Sequence, residues 1–203
     1  MHKQILNKDQ INLLPLVKEF SRSFYLVGGT AIALQIGHRR SIDFDLFKAT
    51  ELNHKLILDK IAKKNLKPTV TRRVEEQMNL MINNVKFTFF HYPFPIKPVV
   101  KFEKSIKMPT LLELAAMKAY ALGRRSKWKD YVDLYYILTS YHTIQEISNT
   151  AEIIYGQLFS EKQFRAQLCF FNDIDSDEKV EFLVKEPSEN AIKKKLTDLA
   201  INF

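Results

Sequence analysis

Two aspartates, Asp43 and Asp45, stand one residue apart in the apolar run Ile42-Asp43-Phe44-Asp45-Leu46-Phe47. Upstream, the glycine pair Gly28-Gly29 and then Thr30 follow a second apolar run, Phe24 to Val27. Neighbouring carboxylates repel unless a cation lies between them. Mg²⁺ is commonly held by one or two carboxylates together with substrate phosphates. A glycine turn opening a helix offers backbone N–H groups to phosphate oxygens. A phosphate cradle beside a carboxylate pair suggests nucleotide chemistry, with Mg²⁺ as the cofactor. The alternative for Asp43 and Asp45 alone is a solvated strand edge carrying two hydrated acids.

Strand geometry must position the pair. Over residues 42–47, period-2 alternation sends Ile42, Phe44 and Leu46 to one face and Asp43, Asp45 and Phe47 to the other. Aspartate is depleted in strands, so two in one short strand require a reason. Between the glycine turn and this strand lies the basic loop His38-Arg39-Arg40-Ser41. One of its arginines could bind a phosphate, or Arg39 could pair with Asp43 or Asp45 in an exposed turn. Ser41 belongs to the loop that presents the aspartates.

The wider pattern is α+β. Helical spacing covers residues 8–21, 30–36 and 52–65, with strands at 24–27 and 42–47 between them. Residues 69–91 read as strands, with Asn83-Asn84 as a hairpin turn. Pro93, Pro95 and Pro98 mark a connection. Short strands follow at 99–102 and 105–107, and from Thr110 onward the pattern is helical. A mixed sheet flanked by helices over residues 1–109, then a helical subdomain over 110–203, is the expected organisation.

These residues resemble the AbiEii/AbiGii toxin family, within the DNA-polymerase-β-like nucleotidyltransferase superfamily. Gly28-Gly29-Thr30-Ala31-Ile32-Ala33-Leu34 resembles the family's G-G-T-x-L-A-L. Gly37-His38-Arg39-Arg40-Ser41-Ile42-Asp43-Phe44-Asp45-Leu46 resembles its G-H-R-x-S-x-D-x-D-[LF]. A second block, Leu114 to Ala119 and then Lys129-Asp130-Tyr131-Val132-Asp133-Leu134, is similar to its L-A-x-x-K-x-x-A and K-D-x-x-D-L. The resemblance spans roughly residues 20–140.

The resemblance implies a nucleotidyltransferase fold whose helical subdomain completes the active-site cleft. It implies Asp43 and Asp45 as metal ligands, and Gly28, Gly29, Thr30, Arg39 and Ser41 as nucleotide contacts. Lys118 would neutralise triphosphate charge. Asp130 would act as a base or hold Lys118 through an ion pair. Asp133, one turn further on the same face, is either a catalytic acid or a helix-stabilising one. The superfamily's third carboxylate is expected on the strand Val85 to His91, where Thr88 stands and no acid is present. The implied reaction transfers a nucleoside monophosphate from a nucleoside triphosphate to a tRNA or protein hydroxyl, by the toxin of a toxin–antitoxin or phage-defence pair with a cognate antitoxin. Two other readings are a catalytically inactive nucleotide-binding module and a small-molecule, antibiotic-type nucleotidyltransferase.

Composition is compatible with this and excludes other classes. Of 203 residues 46% are hydrophobic, with 15 Phe and 8 Tyr, which excludes disorder. The single cysteine excludes an internal disulfide. No apolar run is long enough to span a membrane, and a cytoplasmic location is expected. Residues 1–130 hold 24 Lys/Arg against 11 Asp/Glu, and residues 131–203 hold 7 against 12. The basic charge therefore lies on the segment bearing the motifs, as suits a triphosphate and RNA. Trp128, set among Arg124, Arg125, Lys127 and Lys129, could stack a base or anchor a helix hairpin. Asp173, Asp175 and Asp177 begin like a Ca²⁺ loop, but the required Gly and Glu are replaced by Glu178 and Val184, leaving a solvated acidic turn.

Overall fold

The computed structural model describes residues 1–175 and 178–202. Asp177 of the acidic turn therefore lies outside the described residues. The chain divides into two compact units, residues 1–110 and 111–203.

The first unit opens with α1 (Lys8–Phe20). Asn7 and Gln10 start it reciprocally: the Asn7 side chain accepts from Gln10 N at 2.8 Å, and Gln10 Oε1 accepts from Asn7 N at 3.1 Å. There follow β1 (Tyr25–Val27), α2 (Gly28–Ile36), β2 (Phe44–Lys48), α3 (His54–Ala62), β3 (Thr69–Val74), β4 (Gln77–Ile82) and β5 (Val85–His91). A small hairpin, β6 (Val100–Phe102) and β7 (Ile106–Met108), closes the unit. The main sheet has the order β1-β2-β5-β4-β3. Within this sheet β2 and β5 pair in parallel, and the other neighbouring strands pair antiparallel. The chain reaches β5 from β2 through α3 and the β3–β4 hairpin.

Alternation gives this sheet two unlike faces. Phe44, Leu46, Met78, Leu80, Ile82, Phe87 and Phe89 are fully buried on one of them. Phe20 of α1 meets Phe89 edge-on there, ring centroids 4.8 Å apart, and Phe24 meets it at 5.3 Å. The opposite face carries Asp45, Thr88 and Asn79 in one cross-strand row. Asn83 and Asn84 adopt φ of 46° and 63° in the two-residue β4–β5 turn, the left-handed pair that matches strand twist in a tight hairpin.

β2 begins at Phe44, not Ile42, and Ile42 is 48% exposed instead of packed. The ladder explains this. Pairing with β5 starts at Phe44, and pairing with β1 ends at Asp45. Ile42 therefore precedes the first sheet neighbour and belongs to the loop.

The second unit is helical: α4 (Leu111–Leu122), α5 (Trp128–Ser140), α6 (Ile144–Tyr155), α7 (Glu161–Leu168) and α8 (Glu189–Ile201). Tyr120 of α4 stacks on Tyr155 of α6, centroids 3.9 Å apart and rings nearly parallel. Thr143 and Glu146 form the capping box that starts α6. The protein is thus α+β, with a five-stranded mixed sheet flanked by helices. Among the described residues, no helix is long and apolar enough to cross a membrane.

Candidate functional site

In the first unit, the glycine turn and the D-x-D strand are built against each other. β1 ends at Val27, which pairs with Asp45, and the chain enters α2 at once through Gly28. Gly28 has φ +71°, a conformation disfavoured for residues with a side chain. The space a Cβ would occupy there is taken by the Asp45 carboxylate. At Gly29 the same space is taken by the Arg39 guanidinium and Ser41 Oγ. Both glycines therefore let the aspartate loop close onto the helix start.

Thr30 ties the two pieces together. Its hydroxyl donates to the Asp43 carbonyl and lies 2.9 Å from Ser41 Oγ. Thr30 is buried, so this bracing absorbs the hydroxyl and fixes the backbone that presents Asp43. Arg39 is only 2% exposed and donates from Nη1 to the Arg40 carbonyl at 3.0 Å. An exposed basic turn is thus not what forms: Arg39 is an internal strut of the loop, its charge held next to Gly29. His38 is buried as well.

Thr88 stands directly beside Asp45 in the parallel β2–β5 ladder, and Asn79 stands beside Thr88 in β4. This row sets a carboxylate, a hydroxyl and an amide across three strands. Among the described residues, no group of three or more His, Cys, Asp or Glu is placed to hold a metal. A metal site built on Asp43 and Asp45 would draw on two carboxylates. That fits Mg²⁺ in its usual manner, with substrate phosphates and water supplying the remaining oxygens.

The second unit contains a buried ion network. Lys118 of α4 binds Asp130 of α5 through Oδ1 and Asp133 through Oδ2, the latter at 2.9 Å. The Lys118 side chain is 8% exposed, that of Asp130 3% and that of Asp133 0%. Arg125, in the turn between the helices, donates from Nε to Asp130 Oδ2 at 3.2 Å, and its own side chain is 55% exposed. Helix geometry accounts for the arrangement. Asp130 and Asp133, one turn apart, share a face of α5, and α4 carries Lys118 to meet them. Asp133, for which the sequence leaves a catalytic acid and a helix-stabilising one open, is fully buried against the Lys118 ammonium.

The surrounding basic turn is largely satisfied from within the second unit. Lys127 and Lys129 bind Glu178 at 3.1 and 2.8 Å. The hydrogen bond from Lys129 chiefly, then that from Lys127, holds the Glu178 carboxyl down at about 2 against the opposing effect of burial. Ser126 Oγ donates to Asp173 at 2.9 Å, and Trp128 N donates to the Asp175 carbonyl at 3.0 Å. The acidic turn is thus paired with the basic one instead of simply solvated. Trp128 packs near Tyr131, centroids 6.3 Å apart, with the Lys193 ammonium 5.9 Å from its ring. These are the contacts of an anchor for the helix hairpin.

Comparison with known proteins bears on the family and the fold. The profile of a family described as "Nucleotidyl transferase AbiEii toxin, Type IV TA system" matches residues 16–199. An uncharacterized protein of Aquifex aeolicus, aq_aa25, is 29% identical over 142 residues, 66% of this chain and 67% of that protein. Among solved structures, MenT4, a nucleotidyltransferase toxin from Mycobacterium tuberculosis, superposes with a TM-score of 0.62 at 12% identity, covering 94% of this chain and 81% of that one. JHP933 from Helicobacter pylori gives 0.60 at 14% identity, covering 96% and 91%. Identities this low establish a shared fold.

Proposed function

The chain belongs to the AbiEii nucleotidyl transferase toxin family and is a nucleotidyltransferase; from that premise we propose that it uses Mg²⁺ and a nucleoside triphosphate to transfer a nucleoside monophosphate to an acceptor hydroxyl on tRNA or a protein. The acceptor oxygen attacks the α-phosphorus. The bond to the bridging α–β oxygen breaks, and pyrophosphate leaves. The observation that carries this reading is the packing of the Asp45 carboxylate against Gly28, the residue that opens α2. It sets Asp45, a proposed metal ligand, against the glycine turn proposed to hold phosphate.

Each residue then has a role. Gly28, Gly29 and Thr30 form the phosphate turn, with Arg39 and Ser41 shaping it from behind. Asp43 and Asp45 would hold Mg²⁺, which would supply positive charge against the phosphates. Lys118 contributes fixed positive charge, and Asp130 accepts the acceptor proton. Preorganised charge of this kind acts where charge develops in the transition state. A toxin role with a cognate antitoxin partner follows from the family's description. Thr88 beside Asp45 favours a second reading, in which the same residues bind nucleotide without transferring it.

The test is incubation with each α-labelled triphosphate, Mg²⁺ and, separately, total RNA, a protein extract and small hydroxyl compounds. Label on RNA or protein supports the proposal. Binding without transfer to any acceptor selects the second reading.

A further inference from the structure

Resting on the reading that Lys118 takes part in transfer, we propose that Asp133 is the positioning residue that holds the Lys118 ammonium charged and in place, leaving Asp130 to react. A buried lysine is pushed toward its neutral form by desolvation. A neutral amine would neither attract phosphate nor stabilise the charge of the departing group. Lys118 is almost wholly buried, yet two carboxylates of α5 converge on it.

Those carboxylates are not equivalent. Asp130 is shared: its second oxygen accepts from Arg125, whose side chain is more than half exposed and reaches solvent. A proton arriving on Asp130 would weaken the hold of Asp130 on Lys118. Asp133 is completely buried, and its Oδ2 lies 2.9 Å from Nζ. In this scheme Asp133 keeps its place against Nζ while Asp130 takes up the acceptor proton. Asp133 touches no reacting atom in this scheme and acts through Lys118. The charged groups facing Lys118 in the network are Asp130 and Asp133 on α5, with Arg125 beyond Asp130.

The experiment combines kinetics with direct observation of the ammonium group. Asp133→Asn keeps the shape and removes the charge. The expected result is a kcat about tenfold lower at pH 8, with KM for the triphosphate within about twofold. The alkaline limb of the kcat–pH profile should move to lower pH by about one unit. Asp130→Asn should instead lose transfer across the whole pH range. In ¹⁵N-lysine-labelled protein, the Lys118 ζ signal should lose its proton at lower pH in Asp133→Asn than in wild type. A variant that is less stable but leaves the alkaline limb and the ζ titration unmoved would overturn the proposal and make Asp133 a helix staple only. Should Asp133→Asn fail to fold, Asp133→Ser is the second variant: the same shift of the ζ titration and the alkaline limb supports the proposal, and a titration unmoved from wild type overturns it. Absence of transfer by wild type would sink the functional reading, while the ζ titration would continue to judge the role of Asp133.

Discussion

Removing the Lys118 ammonium should expose how the second unit is held together. In Lys118→Met the chain length is kept, but Asp130 and Asp133 lose the ammonium group that bridges them, while Arg125 remains on Asp130. Breaking a buried ion pair by deleting one partner costs about 3–5 kcal/mol. Protonation caps that loss. One carboxyl can take up a proton in the folded variant, and for an acid whose unfolded value is near 4 this costs about 4 kcal/mol at pH 7 and about 1.5 kcal/mol at pH 5. The variant then binds one more proton folded than unfolded, so its stability rises relative to wild type as pH falls. Urea unfolding of both proteins at pH 7 and pH 5 measures this. The deficit should be roughly 3–4 kcal/mol at pH 7 and should shrink by roughly 2 kcal/mol at pH 5. Adding Asp133→Asn should recover most of the stability without recovering transfer. A Lys118→Met protein as stable as wild type at pH 7, or a deficit independent of pH, would refute the buried network. Recovery of both stability and transfer in the double variant would reduce Lys118 to a structural residue.

Gly28→Ala places a side chain at φ +71° and against the Asp45 carboxylate. It should cost at least about 1–2 kcal/mol and abolish Mg²⁺-dependent triphosphate binding, as read by thermal unfolding and calorimetry. Thr88→Asp sets a further carboxylate beside Asp45; the melting temperature should fall without Mg²⁺ and rise on adding it by more than in wild type, because the cation offsets the new repulsion. The Glu178 carboxyl, held at about 2 by Lys129 and Lys127, contributes stability that is present above its unfolded value of 4.5 and lost as pH falls toward 2. Lys129→Ala should return its NMR titration most of the way toward 4.5.

Much of the first unit was legible because its signals are local. Alternation in Phe44 to Phe47, the Asn83-Asn84 turn and the Gly28-Gly29 break each depend on residues adjacent in sequence. The place of Thr88 beside Asp45 came from the resemblance to the nucleotidyltransferase superfamily, and the β2–β5 register puts it there. Three features were not legible. The start of β2 at Phe44 depends on where its neighbours β1 and β5 begin and end, which spacing within one strand does not reveal. Arg39 looks solvated in sequence, set beside His38 and Arg40. Its burial follows from the space left by Gly29, a contact made after the loop closes. Lys118 and Asp133 look like surface residues of two amphipathic helices. Only the meeting of α4 with α5 turns them into a buried pair, and helical periodicity carries no signal for that pairing.

The central claim is that Asp43 and Asp45 serve transfer of the nucleoside monophosphate portion of a triphosphate. Parallel reactions with α-labelled and γ-labelled triphosphate, by wild type, Asp43→Asn and Asp45→Asn, test it most directly. The account predicts Mg²⁺-dependent capture of the α-label by an acceptor, release of the γ-label as pyrophosphate, and loss of both in each variant with folding intact. Transfer of the γ-label to the acceptor, or α-label transfer undiminished in either variant, would contradict it.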